Sequence, residues 1–349
     1  MSSFHEIIGH TRAIEILQSH LRRNEIPHAL LFMGEEGIGK RTVARTFAQA
    51  LLCQNRPAEV GGDSKAWIEP CGGCLPCRKI ADNNHPDFSA IEPEGAFIKI
   101  DPIREAQKRI LFKPIEGPRK IILIDPADKM NAAAANALLK TLEEPPPYCL
   151  LMLVSSKPYS LPATILSRCQ KITFHPLSLS QIENLLMEKR EWAEADARLT
   201  ASLTGGKLGE ALSLEIETAR EIEAGLYSLV SEKTLGRYEA LFEAATNFSR
   251  DPETMEKSLH YLSAWFRDVL VLQSVPDPSQ MDSSWLVYSW RRSEIEKWAA
   301  RVQPHEVGAF LADIQEIHQA QARNINRTLA LETLLMRLRD KWMERQLNA

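Results

Sequence analysis

The sequence predicts an α/β domain with a parallel sheet and a phosphate-binding loop, followed by a part that contains helices only. Apolar runs typical of strands alternate with helix-like segments from residue 1 to about 174, which is the pattern of a parallel sheet covered by helices. One such run leads directly into a glycine-rich turn with a lysine, the beginning of a phosphate-binding motif. After His175-Pro176 the chain has only helical periodicity.

Length and composition exclude several classes of protein. The chain has 349 residues, enough for two or three domains, and its 44% hydrophobic and 25% charged residues are ordinary for a globular protein. No apolar run reaches the roughly 18 residues that a membrane span needs, and the N-terminus lacks the features of a secretory signal. We therefore expect a cytoplasmic protein without a membrane partner, whose cysteines are reduced unless they bind metal. The net charge of −4 argues against a chain that binds nucleic acid as a whole.

The first predicted elements are a helix and a strand. The segment 4–24 is predicted as an amphipathic helical entry, because it has apolar residues at helical spacing. These residues are Ala13, Ile14, Leu17 and Leu21. The apolar run 29–33 that follows is predicted as a buried strand, and it leads into the glycine-rich turn.

The turn at 34–42 is predicted as a phosphate-binding loop between this strand and a second helix. Its glycines allow the backbone to approach a phosphate, and the free N–H groups at the helix start would face the negative charge. Lys40 would add a positive point charge. Together with an aspartate at the end of a later strand, the candidate nucleotide site comprises Gly34, Gly37, Gly39, Lys40, Arg41, Thr42 and Asp125.

Two positions of this site lack the residues that ATP hydrolysis uses. The Ser or Thr that ligates magnesium should follow the lysine, but Arg41 stands there and Thr42 comes one residue later. Asp125 ends the apolar run 120–125 and matches the aspartate that holds magnesium in such sites. The next position is commonly a glutamate that activates water, and here it is Pro126. These replacements argue against ATP and Mg²⁺ binding, and they leave open whether Thr42 restores the magnesium ligand.

A cluster of cysteines is predicted to form an inserted zinc-binding module over residues 53–77. Cys71, Cys74 and Cys77 form a doubled C-x-x-C pattern, and Cys53 ends the helix that follows the phosphate loop. Four thiolates suit a tetrahedral zinc ion, and such a closed set is typical of structural rather than catalytic zinc. The alternative is a loop with incidental cysteines.

The segment after the cysteines is predicted to contain short strands and one helix. His85 is expected in a surface loop, and short strands are expected around 88–91 and 97–100. The next helix is expected to have Asp101 as its N-cap and Pro102 as its first helical residue.

Residues 99–120 are the clearly basic stretch of the chain. Its basic residues are Lys99, Arg104, Lys108, Arg109, Lys113, Arg119 and Lys120. A contact with the phosphate backbone of DNA and a merely solvated helix face are both consistent with this stretch.

The rest of the chain adds two strands and then helices. An alanine- and leucine-rich helix over 131–144 is ended by three prolines, and strands are predicted over 149–154 and 171–174. The helices that follow are short over 178–216 and longer and aromatic-rich from about 217. The last of them has Leu331, Leu334, Leu335 and Leu338 on one packing face.

These motifs, in this order, resemble those of bacterial clamp-loader subunits of the AAA+ class. The resemblance covers about the first 215 residues. It is carried by Ile7–His10, the loop 34–42, the cysteines of 53–77, the Asp125 strand, and the runs Asn136–Pro146 and Ile165–Cys169. The two last runs are the most specific.

The resemblance implies a division of the chain into domains and a set of partner subunits. It implies an AAA+ domain over 1–174 with the zinc module inserted, a helical lid over 175–216 and an all-α collar and oligomerisation domain over 217–349. The family implies a hetero-pentamer with tau/gamma motor subunits and a delta subunit. That assembly opens the sliding clamp and loads it on primed-template DNA for DNA polymerase III, using ATP that the motors hydrolyse.

Within the family the sequence resembles the non-motor delta-prime type. Arg41, Pro126 and Gly209, the last at the position of a lid sensor arginine, each remove a part of an ATPase. Ser167, Arg168 and Cys169 match the motif of an arginine finger that reaches a neighbouring subunit's ATP site. The chain itself is then not catalytic, although it belongs to a DNA-directed DNA polymerase, a nucleotidyltransferase. The alternatives are an ATP-hydrolysing tau/gamma-like motor and a zinc-dependent DNA-binding protein that uses the basic stretch 99–120. For Arg168 alone, the alternative is a local salt bridge.

Overall fold

The predicted parallel sheet is confirmed by the computed structural model, which describes residues 3–55, 68–276, 281, 285–320 and 325–344. Its five strands are all parallel and lie in the order β2-β3-β4-β1-β5. The strands are β1 (Ala29–Met33), β2 (Phe88–Ile91), β3 (Lys120–Ile124), β4 (Cys149–Ser155) and β5 (Gln170–Thr173). All residues of β3 and β4 are buried, as expected for inner strands of a parallel sheet that is covered on both faces.

Helices cover both faces of this sheet. Side chains alternate along β1, so that Leu30 and Phe32 join one core and Ala29 and Leu31 join the other. The helices are α1 (Thr11–Arg23), α2 (Lys40–Leu52), α3 (Leu75–Ala81), α4 (Ile100–Ile110), α5 (Ala132–Glu143) and α6 (Ala163–Leu166). Asn131 begins α5 as an N-cap, because its side chain accepts a hydrogen bond from the Ala134 N–H.

Three expectations for the segment after the cysteines differ from the structure. Helix α4 begins at Ile100 with Lys99 as its N-cap, so Asp101 lies inside the first turn. Pro102 permits this early start, since an N–H in the first turn has no partner within the helix. In place of the expected strand over 97–100, Phe97 and Ile98 form isolated β-bridges. His85 is buried rather than in a surface loop, and its Nδ1 accepts the Asp87 N–H at 3.0 Å.

The part after β5 consists of helices within its described residues. They are α7 (Leu179–Arg190), α8 (Glu194–Thr204), α9 (Leu208–Ser213), α10 (Ile216–Tyr227), α11 (Glu232–Leu235), α12 (Tyr238–Ser249), α13 (Pro252–Ser274), α14 (Arg292–Arg301), α15 (Pro304–Ala320) and α16 (Arg327–Glu344). The predicted packing face of the last helix is confirmed, because its four leucines are buried. Trp265 and Trp298 lie in the same core, whereas Trp285 is exposed.

The chain divides into two compact units. The first comprises Met1–Leu177 with Lys207–Gly209, and the second comprises Ser178–Gly206 with Glu210–Ala349. The separation of a lid over 175–216 from a collar over 217–349 stays a prediction. None of the helices in the described ranges combines the length and the apolar character that crossing a membrane requires.

Candidate functional site

The phosphate loop joins the end of β1 to the start of α2, and its glycines are required by its backbone. Gly39, directly before the helix, has φ 100°, a left-handed conformation that favours glycine. A Cβ on Gly34 would lie 2.5 Å from the Phe174 carbonyl oxygen, which is closer than any side chain permits. His10 also supports the loop, because its Nε2 lies 2.7 Å from the Ile38 carbonyl oxygen. The conformation of the loop therefore depends on its own glycines and on contacts with residues outside it.

Lys40 lies buried inside this loop. Its Nζ donates to the Gly34 carbonyl oxygen at 2.7 Å and also to the Glu35 carbonyl oxygen. Burial lowers the pKa of Lys40, and the nearby carboxylate of Asp125 works in the opposite direction. The ammonium group is thus held at the centre of the loop, where a phosphate would be bound.

Arg41, rather than Thr42, faces the acidic residues of the site. The Arg41 guanidinium pairs with Glu92, just after β2, and its Nε lies 3.7 Å from Oδ2 of Asp125, just after β3. Burial raises the pKa of Asp125, while Arg41 and Lys40 counteract that rise. Thr42 is exposed. Because consecutive helical residues point about 100° apart, Thr42 does not share the direction of Arg41.

Neither Pro126 nor the nearby Asp128 is suited to act as the general base. Pro126 carries no proton acceptor, and the next acidic residue, Asp128, is already engaged. Its Oδ1 accepts the Ser155 hydroxyl at 2.6 Å and the Ser156 N–H at 2.9 Å, which fixes the turn after β4. Gly209, at the position of the lid sensor, offers only backbone, and a Cβ there would lie 3.5 Å from the Gly37 carbonyl oxygen.

Arg168 lies between α6 and β5 with its side chain about a third exposed. Its guanidinium donates to Oε1 of Glu143 at 2.9 Å and to the Thr164 carbonyl oxygen at 3.0 Å. The Ser167 hydroxyl donates to the same Thr164 oxygen at 3.2 Å. Cys169 is buried, and burial raises its pKa to about 11, so its thiol packs inside and stays protonated. Of the three motif residues, Arg168 alone presents a charge at the surface.

Arg168 lies at the N-terminal end of β5, whereas the phosphate loop lies at the C-terminal end of the neighbouring strand β1. Gln170 is level with Leu30, four residues before Gly34, which corresponds to about 13 Å along the strands. Arg168 precedes Gln170, and its partner Glu143 ends the helix that leads into the start of β4. The Arg168 guanidinium is therefore out of hydrogen-bonding reach of a phosphate at the chain's own loop.

The four predicted cysteines form one compact cluster. The Sγ atoms of Cys53, Cys71, Cys74 and Cys77 all lie within 4.8 Å of one another. A zinc ion with four sulfur ligands requires an S···S separation of roughly 3.8 Å, and Cys53 and Cys74 have a Sγ···Sγ distance of 3.8 Å. The cluster is compatible with a tetrahedral zinc site.

Backbone N–H groups donate to sulfur atoms of the cluster, and among the four cysteines they lower the pKa of Cys74. The Cys71 N–H donates to Cys53 Sγ at 3.4 Å, and the Cys74 N–H donates to Cys71 Sγ at 3.3 Å. Burial works to raise the pKa of Cys74, but backbone N–H groups of Cys77 and Gln54 lower it to about 6. Burial raises the pKa of Cys77 above its usual range. The connector at 56–67 within the predicted module lies outside the described residues.

The side chains of the basic stretch differ in their exposure and in their partners. Arg104, Lys108 and Lys113 are exposed, but Arg109 pairs with Glu105. Lys120 is buried, and its Nζ donates to the Arg109 carbonyl oxygen at 2.7 Å. Contact with nucleic acid and a solvated face both remain consistent with the exposed residues.

Sequence reasoning missed three residues of the site. His10 was part of a recognised motif, but its bond to Ile38 depends on how α1 packs beside the loop. Glu92 and Glu143 are the carboxylate partners of the two arginines. The position of Glu92 directly after a strand, like that of Asp125, is the one signal that could have indicated it.

The fold and the site together define the class of protein, a P-loop α/β domain of the AAA+ type followed by helices. The family model described as "DNA polymerase III, delta subunit" matches residues 9–178. The chain is 37% identical over 250 residues to the DNA polymerase III subunit delta' of Pseudomonas aeruginosa, covering 70% of this chain and 71% of that protein. This chain belongs to the clamp-loader family of DNA polymerase III.

Both types of subunit in that family are similar to this chain. Subunit delta' of Bacillus subtilis is 29% identical over 333 residues, with 94% of this chain and 96% of that protein covered. Subunit tau of the same organism is 32% identical over 216 residues, with 60% of this chain covered. The alignment spans 37% of tau, so the activity and partners of the whole tau protein do not transfer with it.

Proposed function

We propose that this chain is the non-motor, delta-prime type of subunit in the clamp loader, and that Arg168 acts in trans at the ATP site of a neighbouring motor subunit. The observation that carries the proposal is the separation of Arg168 from the chain's own loop. Its guanidinium is partly exposed near the N-terminal ends of β1 and β5, whereas the loop follows the C-terminal end of β1. A ligand that Arg168 contacts must then be held by another chain.

The chemistry of arginine suits this role. A guanidinium stays charged and presents a planar fork of donors to phosphate oxygens, so it can stabilise charge that develops on the γ-phosphate of ATP. The present pairing of Arg168 with Glu143 is an exposed ion pair, which contributes only about 0–1 kcal/mol. Exchanging Glu143 for a phosphate of the neighbouring subunit therefore costs little.

The chain's own loop supports the same assignment. Arg41 stands at the magnesium-ligand position, Pro126 at the position of the general base and Gly209 at that of the lid sensor. The near-complete alignment with delta', against about a third of tau, agrees with a subunit that lacks the motor function.

The partners follow from this assignment. They would be the tau/gamma motor subunits and the delta subunit of a cytoplasmic hetero-pentamer, with residues 217–349 as the collar. The assembly would act on the sliding clamp and on primed-template DNA. This chain would be a scaffold with one trans-acting arginine, and polymerisation of DNA would belong to the holoenzyme.

The cysteine cluster would hold one structural zinc ion. All four ligand positions of a tetrahedral ion would be filled by Cys53, Cys71, Cys74 and Cys77, leaving none for a reacting water. The four thiols would tie the end of α2 to the start of α3, because Cys53 is the C-cap of α2 and Cys74 is the N-cap of α3. The ion would therefore stabilise this corner of the fold without taking part in chemistry.

The purified chain alone is expected to hydrolyse no ATP above the level of a Lys40→Ala control, because its loop lacks the magnesium ligand and the general base. Release of labelled phosphate over many hours measures this. The rival assignment, a tau/gamma-like motor in which Thr42 and Asp125 hold magnesium, predicts turnover that Lys40→Ala abolishes. Such turnover would overturn the proposed function.

A further inference from the structure

The guanidinium of Arg41 lies beside Asp125, at the place where a metal ion would be expected. In phosphate-loop sites the metal is held between the hydroxyl after the lysine and the aspartate after the third strand. Here the residue after the lysine is Arg41, and its guanidinium contacts both Asp125 and Glu92. The aspartate that would receive Mg²⁺ is thus already paired with a cation of the protein.

These residues do not fit a divalent ion. Mg²⁺ requires oxygen ligands in near-ideal octahedral geometry, and a guanidinium offers donors only. An arginine stays protonated at every ordinary pH, so it does not vacate the position by losing its charge. Thr42 carries the one hydroxyl adjacent to Arg41 on α2, but it is exposed and points in another direction.

We propose that Arg41 replaces the divalent cation at this site, so that the loop excludes Mg²⁺ and meets a phosphate-bearing ligand with two fixed cations, Lys40 and Arg41. Glu92 and Asp125 position the guanidinium from the ends of two adjacent strands, β2 and β3. This inference concerns the chain's own loop and does not depend on the role of Arg168.

The proposal explains why the loop keeps its shape without the parts needed for hydrolysis. Gly34, Gly39 and Lys40 retain the geometry of a phosphate cradle. Phosphate recognition by N–H groups and a lysine does not itself require a metal ion. In an ATPase, Mg²⁺ adds positive charge that bridges two phosphates during the reaction. Arg41 supplies positive charge at that place, but it cannot coordinate ligands as a metal ion does.

The test compares the effect of magnesium on binding of a fluorescent ADP analogue by the full-length chain and its variants. For the unaltered chain, adding Mg²⁺ is expected to change the affinity by less than about twofold. For Arg41→Thr, which supplies the missing hydroxyl and frees Asp125, Mg²⁺ is expected to raise the affinity by about tenfold or more. Magnesium is omitted rather than chelated in the reference buffer, since a chelator would also compete for a metal at the cysteine cluster.

Arg41→Val is the matched control, because valine has the shape of threonine without the hydroxyl. The increase in affinity for the analogue on addition of Mg²⁺ is expected to be clearly smaller for Arg41→Val than for Arg41→Thr. Tighter binding of the analogue by the unaltered chain on addition of Mg²⁺, by tenfold or so, would overturn the proposal. So would an Arg41→Thr variant on which Mg²⁺ has no effect, including one that binds no analogue. The measurement on the unaltered chain needs no variant, so the proposal stays testable if a substitution disturbs folding.

Discussion

Replacing Arg168 by alanine is expected to leave the clamp loader assembled but to lower ATP hydrolysis at the adjoining motor site by about 10³-fold or more, the range known for arginine fingers. The loss arises because no other group then stabilises the charge that develops on the γ-phosphate. The substitution removes one exposed ion pair and one hydrogen bond to a backbone oxygen, so the chain itself should fold normally. Steady-state phosphate release by the reconstituted complex, together with its mass, measures both parts.

Two matched variants separate this role from a local salt bridge. Glu143→Gln breaks the same ion pair but keeps the guanidinium, and it should leave hydrolysis unchanged. Arg168→Lys keeps the charge but loses the planar fork of donors, and it should restore only part of the rate. If Glu143→Gln lowers hydrolysis as much as Arg168→Ala does, the local ion pair explains the effect and the trans role fails.

Replacing Cys77 by serine is expected to remove the metal and to destabilise the chain. Cys77 is fully buried, and its Sγ belongs to the four-sulfur cluster. Zinc affinity and folding are coupled at such sites, so the loss of one thiolate should lower the zinc content from about one ion per chain to well below half of that. The thermal midpoint of unfolding should fall by several degrees. Metal analysis and thermal denaturation of the purified chain give the two values.

Cys149→Ala is the control for this prediction. Cys149 lies buried in β4, outside the four-sulfur cluster, so its thiol is not among the proposed zinc ligands. The variant should keep its zinc while losing some packing energy. A wild-type chain that is well folded and contains no zinc, or a Cys77→Ser variant that retains it, would contradict the zinc proposal.

The sequence predicted best what depends on local spacing. The strand before the phosphate loop, the glycines at Gly34 and Gly39, and the C-x-x-C pattern are set by residues close together in the chain. The parallel sheet followed because alternating strands and helices allow few other arrangements. These features required no knowledge of distant contacts.

The parts that sequence reasoning missed depend on contacts between distant segments. Glu92 meets Arg41 because β2 lies beside β3 in the sheet, and no spacing in the chain indicates that neighbour. His85 was expected at the surface, but it is buried next to Asp87, whose carboxylate accepts N–H groups of residues 115–117. The Asp87 N–H replaces one of the hydrogen bonds that a surface histidine would make with water, and His85 Nε2 lies 3.8 Å from Oε2 of Glu116.

The start of α4 shows a smaller error with a clear cause. Proline is tolerated throughout the first turn of a helix, so Pro102 did not identify the first helical residue. Lys99 serves as N-cap without a side-chain hydrogen bond, and a cap of that kind leaves no signal in the sequence. Boundaries of this type are set by backbone geometry and packing, here by the burial of Ile103.

The central claim is that this chain contributes to ATP hydrolysis through Arg168 and not through its own loop. The most direct measurement compares Lys40→Ala and Arg168→Ala in otherwise identical reconstituted complexes of equal mass. The complex with Lys40→Ala should hydrolyse ATP at the wild-type rate. The complex with Arg168→Ala should lose the part of the rate that comes from the ATP site contacted by Arg168. The reverse pattern, with Lys40→Ala lowering the rate and Arg168→Ala leaving it intact, would contradict the account and identify the chain as a motor.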